Sequence, residues 1–123
     1  MIILDTNVFI DYLRGYQPAI KFFESLDHQT VLFSAITETE LIAGKECSDT
    51  NNKERLLRLL NCFEKIFVTN QIAVLAGDIC REYETWIADS IIAATAILTK
   101  SELLTKNLKD FQKIRDLKVK VPY

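Results

Sequence analysis

The chain has 123 residues, 49% of them hydrophobic and 26% charged, with a net charge of −2. That is enough to bury a core in one domain spanning 1–123, with an ordinary globular composition. No apolar run approaches the roughly 20 residues of a membrane span, and no basic segment precedes the apolar N-terminus as in a secretory signal, so the expected location is cytoplasmic.

Met1-Ile2-Ile3-Leu4 is an apolar run that reads as a strand buried on both faces. Asp5-Thr6-Asn7 forms the turn that leaves it and caps a short helix over 8–13, which Gly15 ends. Pro18 opens a helix with Ile20, Phe22, Phe23 and Leu26 on its apolar side. Asp27 to Thr30 reads as an exposed turn containing the single His28. One histidine leaves no material for a histidine-based metal site or a Ser-His-Asp triad. Val31-Leu32-Phe33 is the second strand, and the stretch from Ser34 to Gly44 begins with hydroxyls and turns helical. A polar break at 48–52 precedes an amphipathic helix over 53–63. Ile66-Phe67-Val68 reads as the third strand, and Thr69 caps the helix that follows. A connector over 83–87 leads to a nearly wholly apolar helix over 88–98 with Asp89 at its start. Leu103-Leu104-Thr105 is the fourth strand, 106–111 a turn with a short helical piece, and 118–121 a short edge strand stopped by Pro122. Cys47, Cys62 and Cys80 are odd in number and widely spaced, and read as small buried hydrophobes. Strands alternating with helices predict an α/β domain with a parallel sheet.

Acids stand where these strands surface. Asp5 leaves strand one, Glu40 lies in the first turns of the helix after strand two, Asp89 heads the helix returning to strand four, and Asp110 follows strand four. Ligands of open parallel sheets bind outside the carboxyl ends of the strands, so the four can share one edge. Each also has a plain structural reading. Asp5 can be a helix cap, and Thr37-x-x-Glu40 matches a capping box. Asp89 can be a favourable helix N-terminal charge, and Asp110 a surface turn residue paired with Lys106 or Lys113. In one cleft the carboxylates repel, and a divalent cation removes that penalty. An all-oxygen donor set suits Mg²⁺ or Mn²⁺, which activates water and stabilises charge during in-line displacement at phosphorus. From Lys100 onward seven basic residues face three acids, a segment of +4 against −6 for the remainder. A basic rim beside an acidic pocket would suit a phosphate backbone, and Lys106 and Lys109 would meet it. With only three glycines, the chain has no Gly-rich phosphate loop.

Four stretches carry a family resemblance: Leu4-Asp5-Thr6-Asn7, Glu40-Leu41-Ile42-Ala43-Gly44, the run from Ala88 to Ala96, and Leu104-Thr105-Lys106-Asn107-Leu108-Lys109-Asp110-Phe111. In this order the chain resembles PIN-domain ribonucleases, and more narrowly the VapC-type toxins of toxin–antitoxin pairs. The resemblance implies a PIN-like, Rossmann-like three-layer α/β/α fold with a parallel sheet of four to five strands. It also implies Mg²⁺- or Mn²⁺-dependent RNA cleavage, a homodimer and a cognate VapB-like antitoxin. Asp5, Glu40 and Asp89 match the family's acidic centre. Thr6 and Asn7 match the polar pair supporting the first acid, and Thr105 a hydroxyl that faces the site. Asn107 stands where many members carry an acid, with Asp110 three residues on, so either can complete the set. A PIN nuclease of RNA processing, or a catalytically weak PIN domain acting as a binding module, are the alternatives. The helices around 19–26 and 53–63 carry more apolar residues than one face needs, which predicts protein-contact surfaces there.

Overall fold

The computed structural model describes residues 1–26 and 30–123, so the predicted turn with His28 lies outside the described residues. Its core element is β1 (Ile2–Leu4), whose three residues are all buried. β1 pairs in parallel with β2 (Val31–Ser34) on one side and β4 (Glu102–Leu104) on the other. β3 (Glu64–Ile66) and β5 (Val119–Lys120) complete an all-parallel sheet in the order β3-β2-β1-β4-β5. A strand flanked on both sides and covered on both faces has no use for a polar residue, which explains the unbroken apolar run.

Side chains alternate across the sheet and split the core into two layers. Ile3, Leu32 and Leu103 point to a face covered by α5 (Asn70–Tyr83) and α6 (Ile87–Thr99), with Phe111 and Ile114. Ile2, Leu4, Val31, Phe33 and Leu104 point to the other. There α1 (Thr6–Leu13), α2 (Gln17–Glu24), α3 (Ala35–Ile42) and α4 (Thr50–Leu60) supply Phe9, Phe22, Phe23, Leu41, Leu56 and Leu60. The result is the expected three-layer α/β/α architecture. Phe9 is the hub of the second layer, with ring centroids 5.8–5.9 Å from Phe23, Phe33 and Phe63. α6 fits closely because Ala93, Ala94 and Ala96 are fully buried.

Several boundaries differ from the sequence reading, each for a local reason. β3 lies two residues earlier than the apolar run suggested. As an edge strand it needs little burial, and Phe67 and Val68 are left exposed. α4 begins at Thr50, because Asp49 accepts from the Asn51 and Asn52 amides and turns the apparent break into a cap. The motif Thr37-x-x-Glu40 is not a capping box: Ser34 caps α3, and its hydroxyl accepts from the Ile36 amide. The three cysteines are free, with Cys62 exposed and the others half-buried. On α2 and α4, Ala19, Leu56 and Leu60 are buried, Phe22, Phe23 and Leu59 are partly buried against the core, and Leu57 is exposed. Among the described residues no helix is long and apolar enough to cross a membrane.

Candidate active site

The site is built at the carboxyl ends of β1 and β4. The register aligns Leu4 with Leu104, so Asp5 and Thr105 are the next residue out on neighbouring strands. The Asp5 amide donates to the Leu104 carbonyl at 3.0 Å. Both side chains are buried, and the Thr105 hydroxyl donates to Asp5 Oδ2 at 2.6 Å. Asp5 Oδ1 accepts from the Thr6 amide at 2.8 Å, as the N-cap of α1. Asp5 thus caps α1 through Oδ1 while Thr105 holds its Oδ2 at the carboxyl edge of the sheet.

Thr6 reaches across to α3. Its hydroxyl lies 2.6 Å from Glu40 Oε1 and 3.0 Å from Thr37 Oγ1. The Thr6 hydroxyl is thus shared between Glu40 and Thr37, with the shorter bond to the carboxylate. Thr37 is fully buried; the sequence reading took it only for the start of a capping box, not for a site residue. Its spacing of three from Glu40 on a helix, which puts both on one face, was the available signal. Asn7 is half-buried, and its Oδ1 has no hydrogen-bond partner among the described residues.

On the loop after β4, the Asn107 amide donates to the Thr105 hydroxyl at 2.9 Å. The Asn107 side chain donates to Asp110 Oδ2 at 2.7 Å within the turn leading into α7 (Leu108–Phe111). Phe111, fully buried, anchors that turn. Among the described residues Asp110 forms no ion pair with Lys106 or Lys113. Asp89 sits in the first turn of α6, half-buried.

Charge ties these acids together. Loss of water raises the Asp5 carboxyl above the ordinary aspartate value; the Thr105 and Thr6 bonds pull it down, and the Glu40 charge pushes it further up. Asp89 is raised to about 6, first by burial and then by the charges of Asp5, Glu40 and Asp110. All four acids therefore act on one electrostatic neighbourhood. They are not drawn into a cage: among the described residues no group of three or more His, Cys, Asp or Glu is arranged to hold an ion. Glu40 and Asp110 are instead engaged by Thr6 and Asn107. All-oxygen acidic side chains fit Mg²⁺ or Mn²⁺ in type.

Residues 2–117 match the model of the PIN domain. The chain belongs to the PIN-domain family. Within that family it is of the VapC type. It is 30% identical to Ribonuclease VapC19 of Mycobacterium tuberculosis, an alignment covering 95% of this chain and 97% of the relative. The PIN fold here superposes on a toxin–antitoxin complex from Klebsiella pneumoniae with a TM-score of 0.86 and 32% identity, covering 100% of this chain and 98% of that one. Against VapBC2 from Rickettsia felis, bound to a DNA fragment from its promoter, the TM-score is 0.85 with 25% identity, over 98% of each chain.

Proposed function

We propose that this PIN domain is a metal-dependent endoribonuclease, the toxin of a toxin–antitoxin pair. The observation that carries the reading is the mutual electrostatic burden of Asp5, Glu40, Asp89 and Asp110 at the carboxyl edge of the sheet. The relatives named as ribonucleases and the solved toxin–antitoxin complexes support the biological role.

In this reading Asp5, Glu40, Asp89 and Asp110 hold Mg²⁺ or Mn²⁺. Such a cation, when bound, activates water for attack at phosphorus and neutralises charge on the phosphoryl oxygens. The chain's own polar residues do the positioning. Thr105 and the Thr6 amide fix both oxygens of Asp5, the Thr6 hydroxyl fixes Glu40, and Asn107 fixes Asp110. Asn107 thereby acts on the site through Asp110, with no charge of its own. Lys106 and Lys109, both exposed, stand on the same loop to meet RNA phosphates.

The antitoxin is assigned to a groove of about 340 Å³ between α1, α3 and α4. Its floor is Ile10, Leu13, Leu41 and Leu56, and Glu40 lies on its wall, so a segment laid there would end at the acids. The homodimer surface is assigned to the flanks of α5. Phe67 (68% exposed) and Val68 precede that helix, Val74 lies on it, and Trp86 (80% exposed) and Ile87 follow it.

The test is cleavage of single-stranded RNA with and without Mg²⁺. Asp5→Asn and Asp89→Asn should each fall to the level of a no-enzyme control, while both melt in chelator at or above the parent's temperature. Variants that melt far below the parent would show that the acids serve only the fold.

A further inference from the structure

Lys106 stands between Thr105, which binds Asp5, and Asn107, which binds Asp110. A lysine on a loop so close to four carboxylates would ordinarily fold onto one of them. Among the described residues it pairs with none. Its ammonium lies instead over two aromatic rings, 4.5 Å from the centroid of Tyr123 and 5.6 Å from that of Tyr16. The two rings are tilted by 55° with centroids 5.9 Å apart, which makes an open wedge.

The wedge is braced. The Tyr123 hydroxyl donates to Asp11 Oδ2 at 2.6 Å, and its ring packs 6.0 Å from Phe22. Asp11 lies on α1, the helix that Asp5 caps. Tyr16, just before α2, is 47% exposed. An aromatic face attracts an ammonium without cancelling its charge, whereas a carboxylate partner would cancel it. Lys106 is therefore held in one place with its charge free for an anion. A fixed cation beside an exposed aromatic ring is the combination that binds single strands, the cation on a phosphate and the ring under a base.

We propose that Lys106, held by Tyr123 and Tyr16, is the phosphate anchor of a single-stranded RNA subsite immediately beside the acids, and that Tyr16 stacks the adjoining base. This deepens the ribonuclease reading and rests on it. Tyr123 is a positioning residue: it acts through Lys106.

The test is the affinity of a labelled single-stranded oligoribonucleotide by fluorescence anisotropy, across a salt series with Mg²⁺. It is made in an Asp5→Asn background, so that the strand is not cut. Lys106→Met should weaken binding roughly tenfold at low salt and reduce the salt slope by about one. Tyr123→Leu should lower both as well, and Tyr123→Phe, which keeps the ring and loses only the hydroxyl, should restore them. Tyr16→Leu should weaken binding roughly tenfold even at high salt, as loss of a stacked base does. Lys106→Met with the parent affinity and slope overturns the anchor. Tyr123→Leu that lowers the melting temperature but leaves the slope intact overturns the positioning role. Should either occur while the chain with Asp5 restored still cleaves RNA, the ribonuclease reading stands and only this subsite falls. If that chain neither binds nor cuts RNA, both readings fall together.

Discussion

Asp89 keeps its proton to about pH 6, where an ordinary aspartate has long lost it. Its folded-state value lies above the unfolded one, so its protonation favours folding. That contribution is complete below the ordinary aspartate value and is lost as pH rises through about 6. Metal-free protein should therefore lose stability between about pH 4 and pH 6.5, and Asp89→Asn should flatten that part of the profile. Discounted for the half-exposure of the group, the difference at pH 7 is on the order of 1 kcal/mol, or about 4 °C in melting temperature. Melts of both proteins in chelator across that range measure it. A parent profile that rises with pH in parallel with the variant would refute the desolvated, mutually repelling acids. At this scale the sequence was informative wherever a residue's neighbours in space follow from strand order. Asp5 and Asp89 could be placed because strand exits and helix starts share an edge, whereas Thr105 entered only through the family resemblance. Thr37 and the Tyr123–Asp11–Lys106 cluster could not: Thr6 lies 31 positions from Thr37, Asp11 112 from Tyr123 and Tyr16 90 from Lys106, with no periodicity to announce them.

Among the elements, the fully buried ones were the most legible. β1 and β2 came out where their apolar runs stood, since a strand covered on both faces can hold little else. The half-exposed β3 was misplaced because its own residues, Glu64 and Lys65, are charged and the apolar residues after it are not covered. α4 began early because a polar first turn reads as a break until its cap is recognised. The element that most directly shapes the site is α7, a single turn that carries Asp110 and is anchored by Phe111. Phe111→Ala should cost about 3–5 kcal/mol of stability by leaving a cavity under that turn. Cleavage should fall beyond the loss of folded protein, because the Asn107–Asp110 bond depends on the turn. Chemical denaturation gives the first quantity, and rates at a temperature where the variant is fully folded give the second. Full activity in the folded variant would show that Asp110 does not need its anchor.

For the whole molecule, the fold class was readable from the alternation of strands and helices, whereas the surfaces were readable only in part. Composition pointed to α2 and α4 as contact helices; their apolar residues divide between the core and half-buried positions, and α4 walls the groove given to the antitoxin. Phe67, Val68, Val74, Trp86 and Ile87 form a second set of large exposed residues, around α5. The purified chain should sediment as a dimer, and the double variant Phe67→Glu, Trp86→Glu should sediment as a monomer at the same concentration. A parent that is monomeric at high micromolar concentration would remove α5 as a dimer surface.

The strand order also has a consequence in time. β1 is synthesised before both of its sheet neighbours, of which β4 comes far later: the Thr105 hydroxyl that holds Asp5 belongs to a residue 100 positions on. While the chain is still emerging from the ribosome, the central slot of the sheet has only one wall. Asp5 then lacks its strongest ligand-side support, and Asp110 and Asn107 have yet to be made. The acids assemble only when the last quarter folds back against the first strand, a slow, long-range closure. If the proposed ribonuclease reading holds, this order keeps the acids apart until β4 and the loop after it have been made.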